Sequence, residues 1–115
     1  MRLSYDPEGD ILEVIFDERL HRASKKAFQL RHGIVLYLAK DSFKPVQLTL
    51  VHYRGLAQFA QFECEAWQKL SASDKDILKP ILASEAVSAF LKFDPATGYC
   101  RISNQVMPEV FAVAA

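Results

Sequence analysis

Residues 33–54 read GIVLYLAKDSFKPVQLTLVHYR, and this stretch decides the fold that the sequence predicts. Apolar residues alternate with others on both sides of a short polar turn, a period of two that is typical of paired strands with one dry face. Aspartate, serine, lysine and proline provide the turn between the strands. The residues expected on the dry face are Ile34, Leu36, Leu38, Val46, Leu48 and Leu50. The opposite face is expected to be mixed and carries Val35, Tyr37, Gln47, Thr49 and Tyr53.

The residues ahead of this stretch predict further short strands. Proline early and glycine late in the tetrapeptide DPEG are typical of a tight turn, and the segment ILEVIF that follows is apolar at nearly every position. The predicted elements are a strand at 2–5, a turn at 6–9, a strand at 11–16, a loop at 18–26, a strand at 27–30 and a turn at 31–33. The first half is therefore expected to form an antiparallel meander of about five strands.

From residue 55 the spacing of the apolar residues changes to three or four. This spacing is typical of one face of an amphipathic helix, here expected to pack on the sheet. The stripe consists of Leu56, Phe59, Phe62, Ala66 and Leu70, with Trp67 at its edge. Ser71 and Ser73 each precede an aspartate by three residues, which predicts the start of a second helix that ends or kinks near Pro80.

A second hairpin is predicted near the C-terminus, where residues 87–93 alternate again. The turn DPATG at 94–98 resembles the first turn, and the chain returns over 99–103 to extend or close the sheet. The sequence therefore predicts a single α+β domain: an antiparallel β-meander, one or two helices packed on a face, and a C-terminal β-hairpin. Its parts are the meander at 1–54, a helical segment at 55–86, the second hairpin at 87–104 and a tail at 105–115.

Composition narrows the class of protein. The chain has 115 residues, 50% hydrophobic and 24% charged, which is typical of a globular domain. The formal net charge of zero gives no reason to expect nucleic acid or an anionic membrane as a partner. The N-terminus lacks the basic and apolar regions of a signal peptide. Cys64 and Cys100 form no C-x-x-C pattern and are expected to be buried free thiols in the cytoplasm.

The first half resembles a family of small bacterial domains catalogued as domain of unknown function DUF2283. The resemblance rests on YDPEGD at 5–10, the alternating strand ILEVIF that follows, and GIVL at 33–36, and it covers roughly residues 3–54. It implies an antiparallel meander and brings no established activity. Family members often carry an acidic residue in the strand after the glycine and an acidic hairpin tip. This chain has Tyr37 and Ala39 in that strand and KDSFK at the tip.

Charge is segregated along the sequence. Residues 1–18 contain six acidic residues and one basic residue, whereas residues 19–54 contain eight basic residues and one acidic residue. A basic face of this kind is suited to phosphates or nucleic acid. The candidate binding residues are Arg19, Arg22, Lys25, Lys26 and Arg31. The alternative is that acidic and basic strands pair with each other across the meander, with Glu13 or Asp17 facing a lysine or arginine.

Other patterns predict no catalytic, metal or cofactor site. The acidic residues Asp6, Glu8 and Asp10 lack the glycine position and the terminal acid of a calcium loop. The three histidines have no partner at metal-ligand spacing. Motifs for a nucleophile elbow, a phosphate loop or a dinucleotide fold are missing. The protein is therefore expected not to be an enzyme.

We expect a non-catalytic interaction or accessory module that acts as a homodimer, through a hydrophobic contact or an unpaired edge strand. A further protein partner is compatible with this role, and no membrane is expected as a partner. Nucleic-acid or phosphate binding through residues 19–31 is the first alternative. A small-ligand binder or an enzyme with an unrecognised site is the second.

Overall fold

The computed structural model describes residues 1–103 and shows an α+β fold with two antiparallel sheets. Its strands are β1 (Arg2–Asp6), β2 (Ile11–Ile15), β3 (Lys25–Arg31), β4 (Ile34–Ala39), β5 (Pro45–Val51), β6 (Phe62–Glu63), β7 (Leu91–Asp94) and β8 (Tyr99–Ile102). Its helices are α1 (Glu18–His21), α2 (Tyr53–Ala57), α3 (Ala72–Leu82) and α4 (Glu85–Ser88), with a 3-10 turn at Trp67–Lys69. No helix within residues 1–103 is both long and apolar enough to cross a membrane.

The central hairpin of β4 and β5 confirms the predicted dry face. Ile34 lies opposite Leu50 and Leu36 opposite Leu48, and all six predicted residues are fully buried. Gly33 immediately precedes β4 with φ of +90°, and a Cβ atom there would lie 3.0 Å from the Cβ of Val51. Only glycine suits this position, because both the left-handed backbone and the close approach disfavour a side chain.

The five-stranded sheet has the order β1-β2-β5-β4-β3, so it is meander-like, with neighbouring strands consecutive in sequence except at the β2–β5 pair. The polar segment after β2, predicted as a loop, contains α1 and takes the chain to the far edge of the sheet. Asp17 caps α1 by accepting hydrogen bonds from the N–H groups of Arg19 and Leu20. The acidic strands therefore lie at one edge and the basic strand β3 at the other.

This order overturns the expected pairing of acidic with basic strands. Glu13 lies opposite Ser4 and Thr49, neither of which is charged. The charged group nearest the Asp17 carboxylate is Arg19 of the same short helix, 3.8 Å away. The prediction was wrong because it assumed that strands adjacent in sequence are adjacent in the sheet.

The core lies on one face of the large sheet. Its apolar cluster joins the dry face to residues of α2, the 3-10 turn, α3, α4 and the second sheet. Tyr53, expected on the mixed face, is instead fully buried in α2. The opposite, outer face is mixed as predicted, and there the Gln47 amide donates a 3.0 Å hydrogen bond to the Thr49 hydroxyl.

The long helix expected from residue 55 is not formed. α2 ends at Ala57, Phe59 is 63% exposed, and Phe62 lies in β6 opposite Cys100. Several short elements each bury one or two residues of the stripe, so the spacing did not identify a continuous helix. The second helix is confirmed: the Ser71 hydroxyl caps α3 by accepting from the Asp74 N–H at 3.1 Å, and α3 ends two residues after Pro80.

The C-terminal hairpin of β7 and β8 is confirmed with its turn at 94–98, but it does not extend the large sheet. It pairs with β6 to form a separate sheet of order β6-β8-β7. Residues 85–88, expected partly as strand, form α4. The tail predicted at 105–115 and the last hairpin residue lie outside the described residues.

A disulfide bond links Cys64 to Cys100, so the expectation of free thiols was wrong. Both cysteines are buried, and the pairing of β6 with β8 brings them together across 36 residues of sequence. The sequence had no signal for this contact because it depends on which strands become neighbours.

Candidate functional site

The fold does not gather the five candidate basic residues onto one surface. Lys25 and Lys26 are consecutive in β3 and point to opposite faces of the sheet. The Lys26 ammonium lies 3.8 Å from the Asp74 carboxylate of α3. Arg31, at the end of β3, donates a 2.6 Å hydrogen bond to the Glu63 carbonyl and lies 3.7 Å from the Glu65 carboxylate. Lys26 and Arg31 therefore join β3 to the second half of the chain.

The other candidates lie around α1. Lys25 contacts the His21 ring at 3.1 Å and lies over the ring of Tyr37 at 5.6 Å. Arg19 and Arg22 are exposed. They line a cleft of about 300 Å³ together with Arg2, Glu18 and His21. This cleft is the part of the predicted segment in which basic side chains converge.

The loop between β1 and β2 contains a polar cluster that the sequence analysis missed. Asp10 has φ of +53°, a left-handed conformation that aspartate tolerates better than most residues. Its carbonyl accepts the Tyr53 N–H at 3.0 Å, and its carboxylate accepts the Arg54 and Gly55 N–H groups at 2.9 and 3.3 Å. Asp10 therefore caps α2 from a loop 43 residues earlier.

The electrostatics of this cluster follow from its hydrogen bonds. Burial raises the pKa of Asp10, but hydrogen bonds from the Arg54 N–H, the Tyr5 hydroxyl and the Gly55 N–H outweigh it, so the pKa lies below its usual value. Burial, and then the Asp10 carboxylate, raises the pKa of Tyr5. Burial, and then the neighbouring Tyr5, raises the pKa of Tyr53 to about 12. At neutral pH a charged carboxylate lies beside two neutral phenols.

The chemical role of this cluster is structural. The Asp10 carboxylate accepts the Tyr5 hydroxyl at 2.7 Å as well as two helix N–H groups. Its lone pairs are therefore directed to groups of the same chain instead of to a substrate. The sequence contained one sign of this cluster: Asp10 occupies the turn position at which the second hairpin has Gly98.

Strand β1 forms one edge of the large sheet. Within residues 1–103, its main-chain hydrogen bonds connect it to β2 alone. Arg2, Ser4 and Asp6 point to the outer face, while Leu3 and Tyr5 are half-buried against the core. Within residues 1–103, no further strand pairs with this edge, and an edge strand is where the strand of another chain can be added.

The second sheet has an open outer face that forms a cavity of about 390 Å³. Strands β7 and β8 form its floor. In these strands Lys92 is directly opposite Arg101, and Asp94 is directly opposite Tyr99. The side chains that line it include Gln61, Lys92, Asp94, Thr97, Tyr99 and Arg101. This cavity combines two cations, one carboxylate, an aromatic ring and an amide on one face.

Metal ligands do not converge in the described part of the chain. No group of three or more histidine, cysteine, aspartate or glutamate side chains there is placed to hold a metal ion. The histidines are dispersed: His21 contacts Lys25, His32 donates its main-chain N–H to the Glu65 carboxylate, and His52 is exposed ahead of α2.

Comparisons of this chain with protein-family models, with curated proteins and with solved structures find no match. The resemblance to DUF2283 therefore stays a prediction, and the function has to be argued from the chain's own surfaces.

Proposed function

We propose that this protein is a non-catalytic interaction module that forms a homodimer by pairing the β1 edges of two copies. The observation that carries the proposal is the self-complementary sequence of β1, RLSYD, in the terminal strand of the sheet formed by the described residues. Pairing two such edges would join two five-stranded sheets into one of ten strands, a recognised mode of strand addition.

An antiparallel two-fold arrangement centred on Ser4 matches every side chain of the strand. Arg2 lies opposite Asp6 of the partner subunit, and by symmetry Asp6 lies opposite the partner subunit's Arg2. Leu3 lies opposite Tyr5 of the partner subunit on the core face. Opposite charges and apolar pairs in these cross-strand positions each contribute about 0.2–1 kcal/mol, in addition to the main-chain hydrogen bonds.

The charges also favour this arrangement, because the registers centred on Leu3 or Tyr5 place Arg2 or Asp6 opposite Ser4 and lose the pairs of opposite charge. An antiparallel pairing centred on Arg2 or on Asp6 would place like charges directly opposite each other, which is unfavourable. The present partner of Arg2 is Glu18 at 3.2 Å, and both side chains are more than half exposed. Such an exposed pair is weak and is readily exchanged for a new partner.

Charge reversal at the two ends of β1 tests the proposal. Two like-charged contacts would arise in a dimer of Arg2→Glu, and two more in a dimer of Asp6→Lys, so each variant should weaken dimerisation by about 10-fold or more. A mixture of the two variants should recover the dimer, because both contacts between unlike copies are then attractive. Analytical ultracentrifugation measures the three association constants.

The matched control is Lys44→Glu, which makes the same charge change at an exposed turn of the central hairpin. It should leave the dimer unchanged, and circular dichroism should show that all variants keep the wild-type fold. A wild-type protein that is monomeric at high concentration would overturn the proposal. The proposal would also fail if Arg2→Glu and Asp6→Lys each dimerised alone as strongly as they do in the mixture.

The convergence of Arg2, Arg19 and Arg22 in one cleft favours a second candidate function, the binding of nucleic acid or another phosphate. Fluorescence anisotropy of labelled single-stranded RNA and duplex DNA, at low and at physiological salt, tests it. A steep loss of binding with salt is expected, because neutralised phosphates release counterions. Arg19→Glu with Arg22→Glu should abolish binding. No binding by the wild type at low salt would exclude this function.

We also propose, from the sequence, that the protein is cytoplasmic, and its cysteines test this. Disulfide bonds are rare in a reducing cytosol, so the bond between Cys64 and Cys100 counts against this proposal, which requires both cysteines as thiols in the cell. Differential alkylation in intact cells, followed by mass spectrometry, distinguishes the two states. Alkylated thiols would support the proposal, whereas a protected disulfide would indicate an oxidising compartment.

A further inference from the structure

The outer face of the second sheet carries a pair of cations in an unfavourable position. Lys92 in β7 lies directly opposite Arg101 in β8, and like charges in such cross-strand positions repel each other. Within residues 1–103, neither side chain has an acidic partner within ion-pair distance. A bound anion would relieve this repulsion.

Two acids share this face. Glu63 in β6 lies directly opposite Tyr99 but does not line the cavity, whereas Asp94 lines the cavity and serves the turn of the hairpin. One oxygen of Asp94 accepts the Ala96 N–H at 3.0 Å, and the other accepts the Thr97 hydroxyl at 3.1 Å. The Asp94 carboxylate is therefore committed to donors of its own turn. Lys92 and Arg101 both line the cavity.

The size and lining of the cavity indicate the class of ligand. A volume of about 390 Å³ is within the range of small-molecule sites. The Tyr99 ring, 39% exposed, provides a flat apolar surface beside Arg101. The Gln61 amide adds a hydrogen-bond donor and an acceptor at the other side.

We propose that this cavity binds a small organic anion in which a carboxylate or phosphate is attached to a flat ring. Arg101 and Lys92 hold the anionic group, since charge-assisted hydrogen bonds from arginine and lysine are the strong ones for such oxyanions. The ring lies against Tyr99, and Gln61 bonds to polar atoms at its edge. The proposal does not depend on the dimer, whose contacts lie on β1.

Titration of the full chain, followed by amide chemical shifts in NMR spectra, tests the site. The probes are 5′-AMP as a ring with a phosphate and benzoate as a ring with a carboxylate, and their affinities show which of these two combinations the site prefers. Adenosine lacks the anion and inorganic phosphate lacks the ring, so both should bind more weakly. The perturbed amides are expected in β7 and β8.

Variants make the test specific. Arg101→Gln should weaken binding of the better probe by about tenfold or more, because it removes a charge-assisted bond. Tyr99→Leu should weaken it less, and Lys44→Gln, a matched change outside the cavity, should leave it unchanged. Arg2→Glu should also bind as the wild type does, even where it no longer dimerises.

Two outcomes would overturn the proposal. One is that neither 5′-AMP nor benzoate shifts the amides of β7 and β8 at millimolar concentration. The other is that Arg101→Gln binds as tightly as the wild type, since the site would then not use its central cation.

Discussion

The two hairpins β1–β2 and β7–β8 have the same turn in different surroundings. Each begins with an aromatic residue, aspartate and proline, and each has a four-residue loop closed by a cross-strand pair, Asp6 with Ile11 and Asp94 with Tyr99. In each, the first aspartate accepts the N–H two residues later at 3.0 Å. In each, the last loop residue is left-handed, with φ of +53° and +77°. The local chemistry produced the same turn twice.

The residue at that left-handed position differs because its neighbours differ. In the first hairpin it is Asp10, whose carbonyl and carboxylate receive three N–H groups of α2. In the second it is Gly98, where an added Cβ atom would lie 2.6 Å from the side-chain nitrogen of Gln68. The turn is thus a local property, whereas the choice between aspartate and glycine depends on what packs against it.

The hairpins also differ in how they are anchored. Strand β2 lies between β1 and β5 in a sheet of five strands and buries Leu12 and Val14 completely. Strand β8 is the centre of only three strands, one of which has two residues, and carries the disulfide to Cys64. A small sheet therefore relies on a covalent link where the large sheet relies on its core.

Removal of the disulfide should give the largest loss of stability, and it should destabilise the second hairpin more than the first. For the 36-residue separation, chain entropy predicts that Cys64→Ala with Cys100→Ala lowers the free energy of unfolding by roughly 4 kcal/mol. Urea denaturation measures the loss. Hydrogen exchange should accelerate more in β8 than in β2.

The reduced wild type is the matched control and should lose a similar amount, while reductant should not affect the double variant. Equal acceleration of exchange in both hairpins would show that the second sheet has no separate dependence on the disulfide.

Substitution of Asp10 should have the next largest effect. Asp10→Ala removes the cap of α2 and the acceptor for the Tyr5 hydroxyl, so a loss of about 2–3 kcal/mol is expected. Asp10→Gly removes the same side chain but adopts the left-handed backbone freely, so it should lose about 1 kcal/mol less. Urea denaturation of both variants separates the cap from the backbone. Equal losses would mean that the left-handed backbone costs nothing here.

Acid titration tests how much the charge of Asp10 contributes to stability. Because its pKa is lowered in the folded protein, its charge stabilises the fold above the unfolded pKa of about 3.9, and this stabilisation disappears as the pH falls through the lower folded value. The stability of the wild type relative to Asp10→Asn should therefore be constant near neutral pH and shrink below about pH 4. A difference that does not depend on pH would contradict this assignment.

Substitution of Gly98 should give the smallest loss of stability. It tests the left-handed turn position in the second hairpin, as Asp10 does in the first. Gly98→Ala should cost about 1–2 kcal/mol, because alanine is strained in the left-handed region. Gly98→Asn should cost less if the backbone dominates, since asparagine tolerates that region. If Gly98→Ala and Gly98→Asn lower the stability equally, the contact of the added side chain with Gln68 is the main cause. Thermal denaturation of the two variants decides between these causes.

Local patterns predicted those parts of the fold that local chemistry controls. The dry face of β4 and β5, both aspartate-proline turns and the serine cap of α3 all depend on residues within a few positions of one another. The helix expected after residue 55 failed because its spacing of apolar residues is also met by α2, β6 and the 3-10 turn in succession. Periodicity records which residues are buried and not which element buries them.

The candidate sites were predictable to a smaller extent. The basic residues were identified correctly as a sequence feature, but alternation along β3 and the partners Asp74 and Glu65 divide them among different surfaces. The cavity of the second sheet combines Gln61 with residues more than 30 positions later, so no sequence motif describes it.

The sequence by itself determined the α+β class, the central hairpin and the positions of the turns, because alternation and turn chemistry act between near neighbours. Only the tertiary structure decided the strand order, the cap of α2 by Asp10, the bond between Cys64 and Cys100, and the opposition of Lys92 to Arg101. The first three depend on contacts across many residues. The last depends on the register of two strands, which the packing of the whole core fixes.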